Sequence, residues 1–325
     1  MNWIETLRTN FGSRLHEQEP LARFTSARVG GPADALLVAE SAEELAQTAE
    51  FLWERDIPFI VLGGGSNVLV SDAGVREVVL LNRARQIQFD EAGKPPTVWA
   101  ESGANFGLLA RQAAARGLSG LEWAAGIPGT VGGALFGNAG AHDRDMSNNL
   151  LLAEILHRNR VAGARLPIDL LKEQWTVEQM GFEYRSSLLK RMKSEGSSLD
   201  ILILVALLRL ERSQPEAVQA KVDEYTEFRH RTQPPGASMG SMFKNPPGDF
   251  AGRLIEAAGL KETTVGDAAI SSLHANFFTN RGNATAQDIY RLIELARKTV
   301  DRKFGVHLEL EIELIGDWEA YGTEA

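Results

Sequence analysis

The chain has 325 residues, with 34 Lys and Arg against 43 Asp and Glu, a formal net charge of −9 and a pI near 5.3. That balance leaves no basic stripe for a phosphodiester backbone, so a nucleic-acid partner is excluded, whereas a local cationic pocket for a nucleotide is not. Cysteine is absent, which removes disulfides, thiolate nucleophiles and cysteine metal sites.

The length calls for two or three units. The first residues lack the basic-then-apolar order of a secretory signal. The longest dense apolar run, Ile201 to Leu208, is far short of the roughly 20 residues that span a bilayer. The expectation is a cytoplasmic protein with no membrane partner.

In chain order, Ser41-Ala-Glu-Glu44 reads as a capping box opening a helix with Leu45, Ala49, Leu52 and Trp53 on one face. Phe59 to Leu62 reads as a buried strand ending in a glycine turn, and Val75 to Leu81 as the next strand. These elements form an α/β unit over residues 1–85. A second unit, 86–213, holds a strand near Val98–Glu101, a helix near Phe106–Arg116 and a glycine-rich stretch. Its run Ile201–Leu208 is continuously apolar, as in strands buried on both faces. Ser213-Gln-Pro-Glu216 breaks the pattern and restarts as a helix, which opens a third unit, 214–325. There Thr285-x-x-Asp288 starts a helix with Ile289, Leu292, Ile293, Ala296 and Val300 on one stripe. Leu308, Leu310, Ile312 and Leu314 alternate with Glu309, Glu311 and Glu313, the pattern of a strand with one apolar and one acidic face.

Several segments can carry chemistry. Gly63, Gly64, Gly65, Ser66 and Asn67 follow a strand; backbone without Cβ atoms can approach a ligand, and successive N–H groups can form an anion site. The loop has neither the lysine of a Walker A motif nor the third glycine of a dinucleotide fingerprint. Read alone, it is a phosphate loop or a plain tight turn. Gly126 to Gly140 holds six glycines in 15 residues without the Ser/Pro bias of a linker, which fits ligand contact or a sharply turning loop. Ser241, Lys244 and Asn245 surround a turn with no nearby histidine to make Ser241 a nucleophile. Arg185 beside Tyr184 offers a planar fork suited to carboxylate or phosphate. Glu311 lies on a charged face, and His274 stands alone. No carboxylate and histidine cluster has metal-ligand spacing.

Taken in order, eight segments resemble the UDP-N-acetylenolpyruvoylglucosamine reductase family over about residues 21 to 316. They are Arg28-Val-Gly-Gly-Pro-Ala-Asp34, Gly63 to Asn67, Gly126 to Gly133, Asn138-Ala-Gly140, Tyr184-Arg185, Gly240-Ser-x-Phe-Lys-Asn-Pro246, His274-Ala-Asn276 and the final Leu-Glu-Leu-Glu-Ile run. The resemblance implies an α+β fold: a two-part FAD-binding module of the vanillyl-alcohol oxidase type followed by an α/β substrate-binding domain. It implies noncovalent FAD lined by Arg28, Gly63, Gly64, Gly65, Ser66, Asn67, Gly126, Ile127, Pro128, Gly129, Thr130, Gly132, Gly133, Asn138 and Gly140, with the 63–67 amides on the pyrophosphate.

The implied reaction, part of peptidoglycan precursor synthesis, passes hydride from NADPH by way of FAD to C3 of the enolpyruvyl group of UDP-N-acetylglucosamine enolpyruvate. A proton goes to C2. Ser241 matches the proton donor; Arg185 and Glu311 match the pair that stabilises the developing carboxylate charge. Tyr184, Gln233, Lys244 and Asn245 are the candidates for holding the UDP-sugar. Gln233 stands where some relatives have lysine, and Glu313 where relatives often have arginine. The short path from Arg185 to Asp200 resembles the subtype without an extra tyrosine-bearing loop. Two other accounts compete: a flavin oxidase on the same scaffold, and a catalytically silent FAD- or nucleotide-sugar-binding regulator.

Overall fold

The computed structural model describes residues 3–159, 169–194 and 201–318. The end of the path from Arg185 to Asp200 and most of the acidic tail after Gly316 lie outside these residues. The chain forms two compact units, each assembled from separated stretches. The first comprises residues 1–14, 37–64 and 79–227; the second comprises 15–36, 65–78 and 228–325.

The first unit is built on an antiparallel five-stranded sheet ordered Asp169–Trp175, Leu150–Asn159, Ile201–Arg209, Thr97–Glu101, Ile87–Asp90. Ile201–Arg209 is the central strand, which accounts for its apolar run: Leu202, Leu204, Val205, Ala206 and Leu208 are all buried. The helix Phe106–Ala114 starts at Asn105, whose side chain accepts from the Leu108 N–H. It buries Leu109, Ala110 and Ala113, and Phe106 meets Trp123 edge-to-face. The helix Ala42–Trp53 starts at Ser41, whose hydroxyl accepts from the Glu44 N–H at 3.1 Å. Its return bond differs from the capping box expected: the Glu44 carboxylate accepts from Glu40, one residue before the cap, at 2.8 Å. The strand Phe59–Leu62 also departs from expectation, because only Leu62 is buried and Val61 is exposed. It lies at the edge of its sheet, beside Val75–Asn82, so the backbone pairs on one side only.

The second unit contains a sheet ordered Ala237–Ser241, Phe277–Asn280, Ala268–Ile270, Thr264–Val265. The helix Ala286–Phe304 packs its stripe of Ile289, Leu292, Ile293, Ala296 and Val300 into the core. Thr285 and Asp288 make both bonds of a capping box, and Gly305 ends the helix in the left-handed region at φ +66°. A second acidic group acts there: the Asp72 carboxylate accepts from the N–H groups of Ala286 and Gln287, each at 2.9 Å.

The seven-residue strand expected over 308–314 is not formed. Leu308 and Ile312 are buried, so the alternation does mark an inner face. The ladder, however, is confined to Glu313–Ile315, parallel to Val68–Val70, with a lone bridge from Leu310 to Phe243. The backbone upstream is divided between two partners instead of running along one.

Asp72 offers two oxygens to a helix N-terminus where amides lack intrahelical acceptors. Asp72→Ala is expected to lower stability by about 1–2 kcal/mol, read as an earlier midpoint in denaturant unfolding with unchanged slope.

Candidate active site

In the second unit, Gly65 sits at φ +59°, and an added Cβ would lie 2.0 Å from the Phe24 carbonyl oxygen. Only glycine fits there. The Ser26 N–H donates to the Gly65 carbonyl at 2.9 Å, fixing the turn. Among the described residues, the backbone N–H groups of Gly65, Ser66 and Asn67 find no acceptor. Three consecutive open donors form a ready concavity for an anion. Arg28 is exposed, with φ +56°, and its N–H closes a turn onto the Thr25 carbonyl at 3.1 Å.

Asn67 has a second function. Its side-chain amide donates to the Glu311 carbonyl at 3.1 Å, while its own carbonyl accepts from the Glu313 N–H at 2.9 Å. From the other side, the Glu311 N–H donates to the Met242 carbonyl at 2.9 Å. The Lys244 N–H donates to the Glu309 carbonyl at 2.9 Å. Glu311 is therefore held in backbone register with the residues just after Ser241. Ser241 closes the strand Ala237–Ser241 opposite Phe277, after an irregularity between Ser238 and Ser241 that includes Gly240 at φ +77°. Both Ser241 and Glu311 are half-buried.

The expected sugar-nucleotide residues have partners of their own. The Lys244 ammonium pairs with Glu309 at 3.3 Å. The Asn245 side-chain oxygen accepts from the Ala251 N–H at 3.1 Å, at the start of the helix Ala251–Ala257. Gln233 is half-buried, with its N–H bonded to the Arg229 carbonyl at 2.8 Å.

The first unit carries the remaining residues. An added Cβ on Gly64 would lie 2.9 Å from Gly129 Cα, so two glycine turns pack backbone to backbone. Gly63 similarly abuts Thr130, whose hydroxyl accepts from the Gly133 N–H and caps the turn Val131–Phe136. The Gly129 and Thr130 N–H groups have no acceptor among the described residues. Gly126 and Ile127 close the preceding turn, through the Ile127 N–H to Ala124 at 3.0 Å, and Pro128 leads into Gly129. Gly132 rests against Ser102, and Gly140 begins a short hairpin with Arg144–Asp145.

Asn138 is buried, with its amide nitrogen donating to the Asp145 carboxylate at 3.0 Å and the Glu183 carbonyl at 2.9 Å. Its amide oxygen is buried without a partner, an acceptor open to a ligand donor. Through Glu183 it anchors the turn that carries Tyr184 and Arg185. In that turn Glu183 and Ser186 exchange backbone bonds, Arg185 is left-handed at φ +55°, and Tyr184 is exposed. Taken separately, the open amides of Gly65, Ser66 and Asn67 suit an anionic group such as a pyrophosphate, and the Asn138 oxygen suits a hydrogen-bond donor; FAD carries both kinds of group.

Arg185 thus belongs to the first unit, and Ser241 and Glu311 to the second. Two polar residues escaped the sequence reading. The Arg83 guanidinium donates to the Gly63 carbonyl at 3.1 Å, and nothing in the sequence marks it. Asn276 bonds Phe243 twice, and its sole signal was its place in the His274-Ala-Asn276 segment. Among the described residues there is no group of His, Cys, Asp or Glu able to hold a metal, and no helix long and apolar enough to cross a membrane.

These features fit an FAD-binding protein. Comparison with known proteins agrees: residues 33–159 match the FAD binding domain family, and residues 231–315 match the C-terminal domain of UDP-N-acetylenolpyruvoylglucosamine reductase. The chain belongs to the UDP-N-acetylenolpyruvoylglucosamine reductase family. It is 43% identical over 301 residues to the enzyme of that name from Chloroflexus aggregans, covering 93% of this chain and 97% of the relative. It is 38% identical over 314 residues to the Bacillus subtilis enzyme, covering 96% and 98%. The crystal structure of the Thermus caldophilus reductase superposes with a TM-score of 0.73 at 36% identity, over 91% of this chain and 97% of that one.

His274 is structural in this arrangement. Burial pushes its imidazole below the ordinary value of 6.5, and its Nδ1 accepts from the Asn276 N–H at 3.2 Å. A depressed folded pKa means that the unfolded chain takes up the proton first as pH falls. The stability linked to His274 is therefore full above 6.5 and is lost progressively below it. Denaturation midpoints should fall more steeply from about pH 7 to pH 5.5 in the native chain than in His274→Gln, which has no such group to titrate.

Proposed function

We propose that this protein reduces UDP-N-acetylglucosamine enolpyruvate to UDP-N-acetylmuramate with NADPH, in the cytoplasm, as a step of peptidoglycan precursor synthesis. The observation that carries this reading is the backbone register joining the Ser241 and Glu311 segments, inside the part of the chain that matches the reductase C-terminal domain.

Bound FAD would supply the hydride chemistry between NADPH and C3 of the enolpyruvyl group. Its holders in this chain are Gly65, Ser66 and Asn67 through their open amides. Gly63, Gly64, Gly126, Ile127, Pro128, Gly129, Thr130, Gly132, Gly133, Asn138, Gly140 and Arg28 form the remaining lining.

Hydride arrival at C3 pushes charge onto the substrate carboxylate. Arg185 meets that charge with its planar fork, a charge-assisted donor strengthened by exclusion of water. Glu311 can serve the same carboxylate only as a hydrogen-bond donor, since as an anion it would oppose the charge. The Ser241 hydroxyl then gives its proton to C2. A neutral hydroxyl is a weak acid, so this transfer relies on a strongly basic acceptor and on close placement. The backbone bonds around Met242 support this reading, since they fix the segment that directly follows Ser241.

Tyr184, Gln233, Lys244 and Asn245 hold the UDP-sugar. Lys244 exchanges its exposed Glu309 partner for a phosphate, and Asn245 keeps its amide nitrogen available while its oxygen caps a helix.

Incubation with NADPH and the enolpyruvyl nucleotide should yield, by mass spectrometry, a product heavier by two hydrogens. In Ser241→Ala, reduction of the flavin by NADPH should stay near native, while re-oxidation by substrate slows on the order of 10²–10⁴-fold. Equal slowing of both half-reactions would contradict the proton-donor role.

A further inference from the structure

Asn276 is almost fully buried, at 3% exposure, and the reaction as described gives it no role. Its side chain makes two bonds to one residue: Oδ1 accepts from the Phe243 N–H at 2.9 Å, and Nδ2 donates to the Phe243 carbonyl at 2.8 Å. Its own carbonyl accepts from the Met242 N–H at 2.7 Å. These three bonds hold the two residues that directly follow Ser241. The next atom in the series is the Met242 carbonyl, which accepts from Glu311 at 2.9 Å. One residue further, the Lys244 N–H bonds the Glu309 carbonyl. Asn276 itself is fixed, since its N–H donates to His274 Nδ1 and the next residue, Phe277, pairs with Ser241.

The chemistry explains why the residue is asparagine. Phe243 leaves the strand with both backbone groups buried and lacking ladder partners, and a buried amide or carbonyl left unpaired is costly. A primary amide is the one side chain type that offers an acceptor and a donor side by side, matching a peptide's N–H and C=O at once. Aspartate matches only the N–H and sets an oxygen against the Phe243 carbonyl. The clamp lies directly beyond Ser241, so an error in it moves the hydroxyl and the Met242 carbonyl that holds Glu311.

We infer that Asn276 is a positioning residue for proton delivery, setting the Ser241 hydroxyl through Met242 and Phe243 without touching substrate or cofactor. The inference rests on the proton-donor reading of Ser241, and the test separates the two.

The experiment is a double-mutant cycle on the FAD-loaded enzyme, with Asn276→Asp, Ser241→Ala and the combination, in anaerobic single turnovers. Asn276→Asp should reduce with NADPH within about threefold of native and re-oxidise with substrate on the order of 10–100-fold more slowly, the scale set by sub-ångström to 1 Å misplacement of a reacting group. In the Ser241→Ala background the same change should add less than about threefold, because the group it positions is gone. Amide hydrogen exchange of the peptide covering 240–246 should accelerate in Asn276→Asp, a readout independent of turnover.

Equal slowing of both half-reactions, or a full penalty added on top of Ser241→Ala, would overturn the inference. If Ser241→Ala alone leaves re-oxidation unchanged, the proton-donor reading fails first. Asn276→Ser, smaller and uncharged, is the second variant; if neither variant holds FAD at native stoichiometry, Asn276 is a folding residue and the inference falls.

Discussion

The peptide between Glu309 and Glu313 is gripped by hydrogen bonds from two distant stretches of chain, and the arrangement of the second unit's polar groups follows from that grip. Asn67 takes the Glu311 carbonyl with its side chain and the Glu313 N–H with its own carbonyl. Met242 takes the Glu311 N–H, and Lys244 bonds Glu309. Each bond contributes only about 0.5–1.5 kcal/mol net, but leaving a buried partner unmade costs more. The segment therefore has one low-energy position. That position is shared with the turn whose three amides lie open, so the geometry of that turn and that of Glu311 are set by the same residue.

The glycines divide by cause. Gly65 is required by a left-handed backbone pressed against the Phe24 carbonyl, and Gly64 by the approach of Gly129. In both places the chain packs on itself, so the glycines make the turns possible. Asn138 shows the same economy in the first unit. Its amide nitrogen anchors the Tyr184–Arg185 turn through Glu183, and its amide oxygen is left as a buried open acceptor. The backbone of that turn is thereby tied to the glycine-rich stretch itself.

Elements governed by local rules were legible in the sequence. The helix Ala286–Phe304 has a capping box, a stripe and a terminal glycine, all within one segment. The apolar run Ile201–Leu208 was legible as a strand of the core, with Leu202, Leu204, Val205, Ala206 and Leu208 buried. What depended on distant partners was not legible. The alternation over 308–314 reported which side chains face inward, but not that two partners would share the backbone and limit the ladder to Glu313–Ile315. The apolar residues of Phe59–Leu62 gave no sign of an edge position. Asn276 and Arg83 act across long sequence separations, which spacing cannot reveal. Ser241, with no histidine near it, looked like an ordinary turn residue; the role proposed for it rests on eight segments resembling one family in order.

The most direct test of the account is an anaerobic absorbance trace of the purified FAD-loaded protein at the flavin's visible band. NADPH is added first, then UDP-N-acetylglucosamine enolpyruvate. The account predicts bleaching on the first addition and recovery of the oxidised spectrum on the second. Bleaching without recovery would contradict the assigned substrate, and failure to take up FAD at all would contradict the flavoprotein itself.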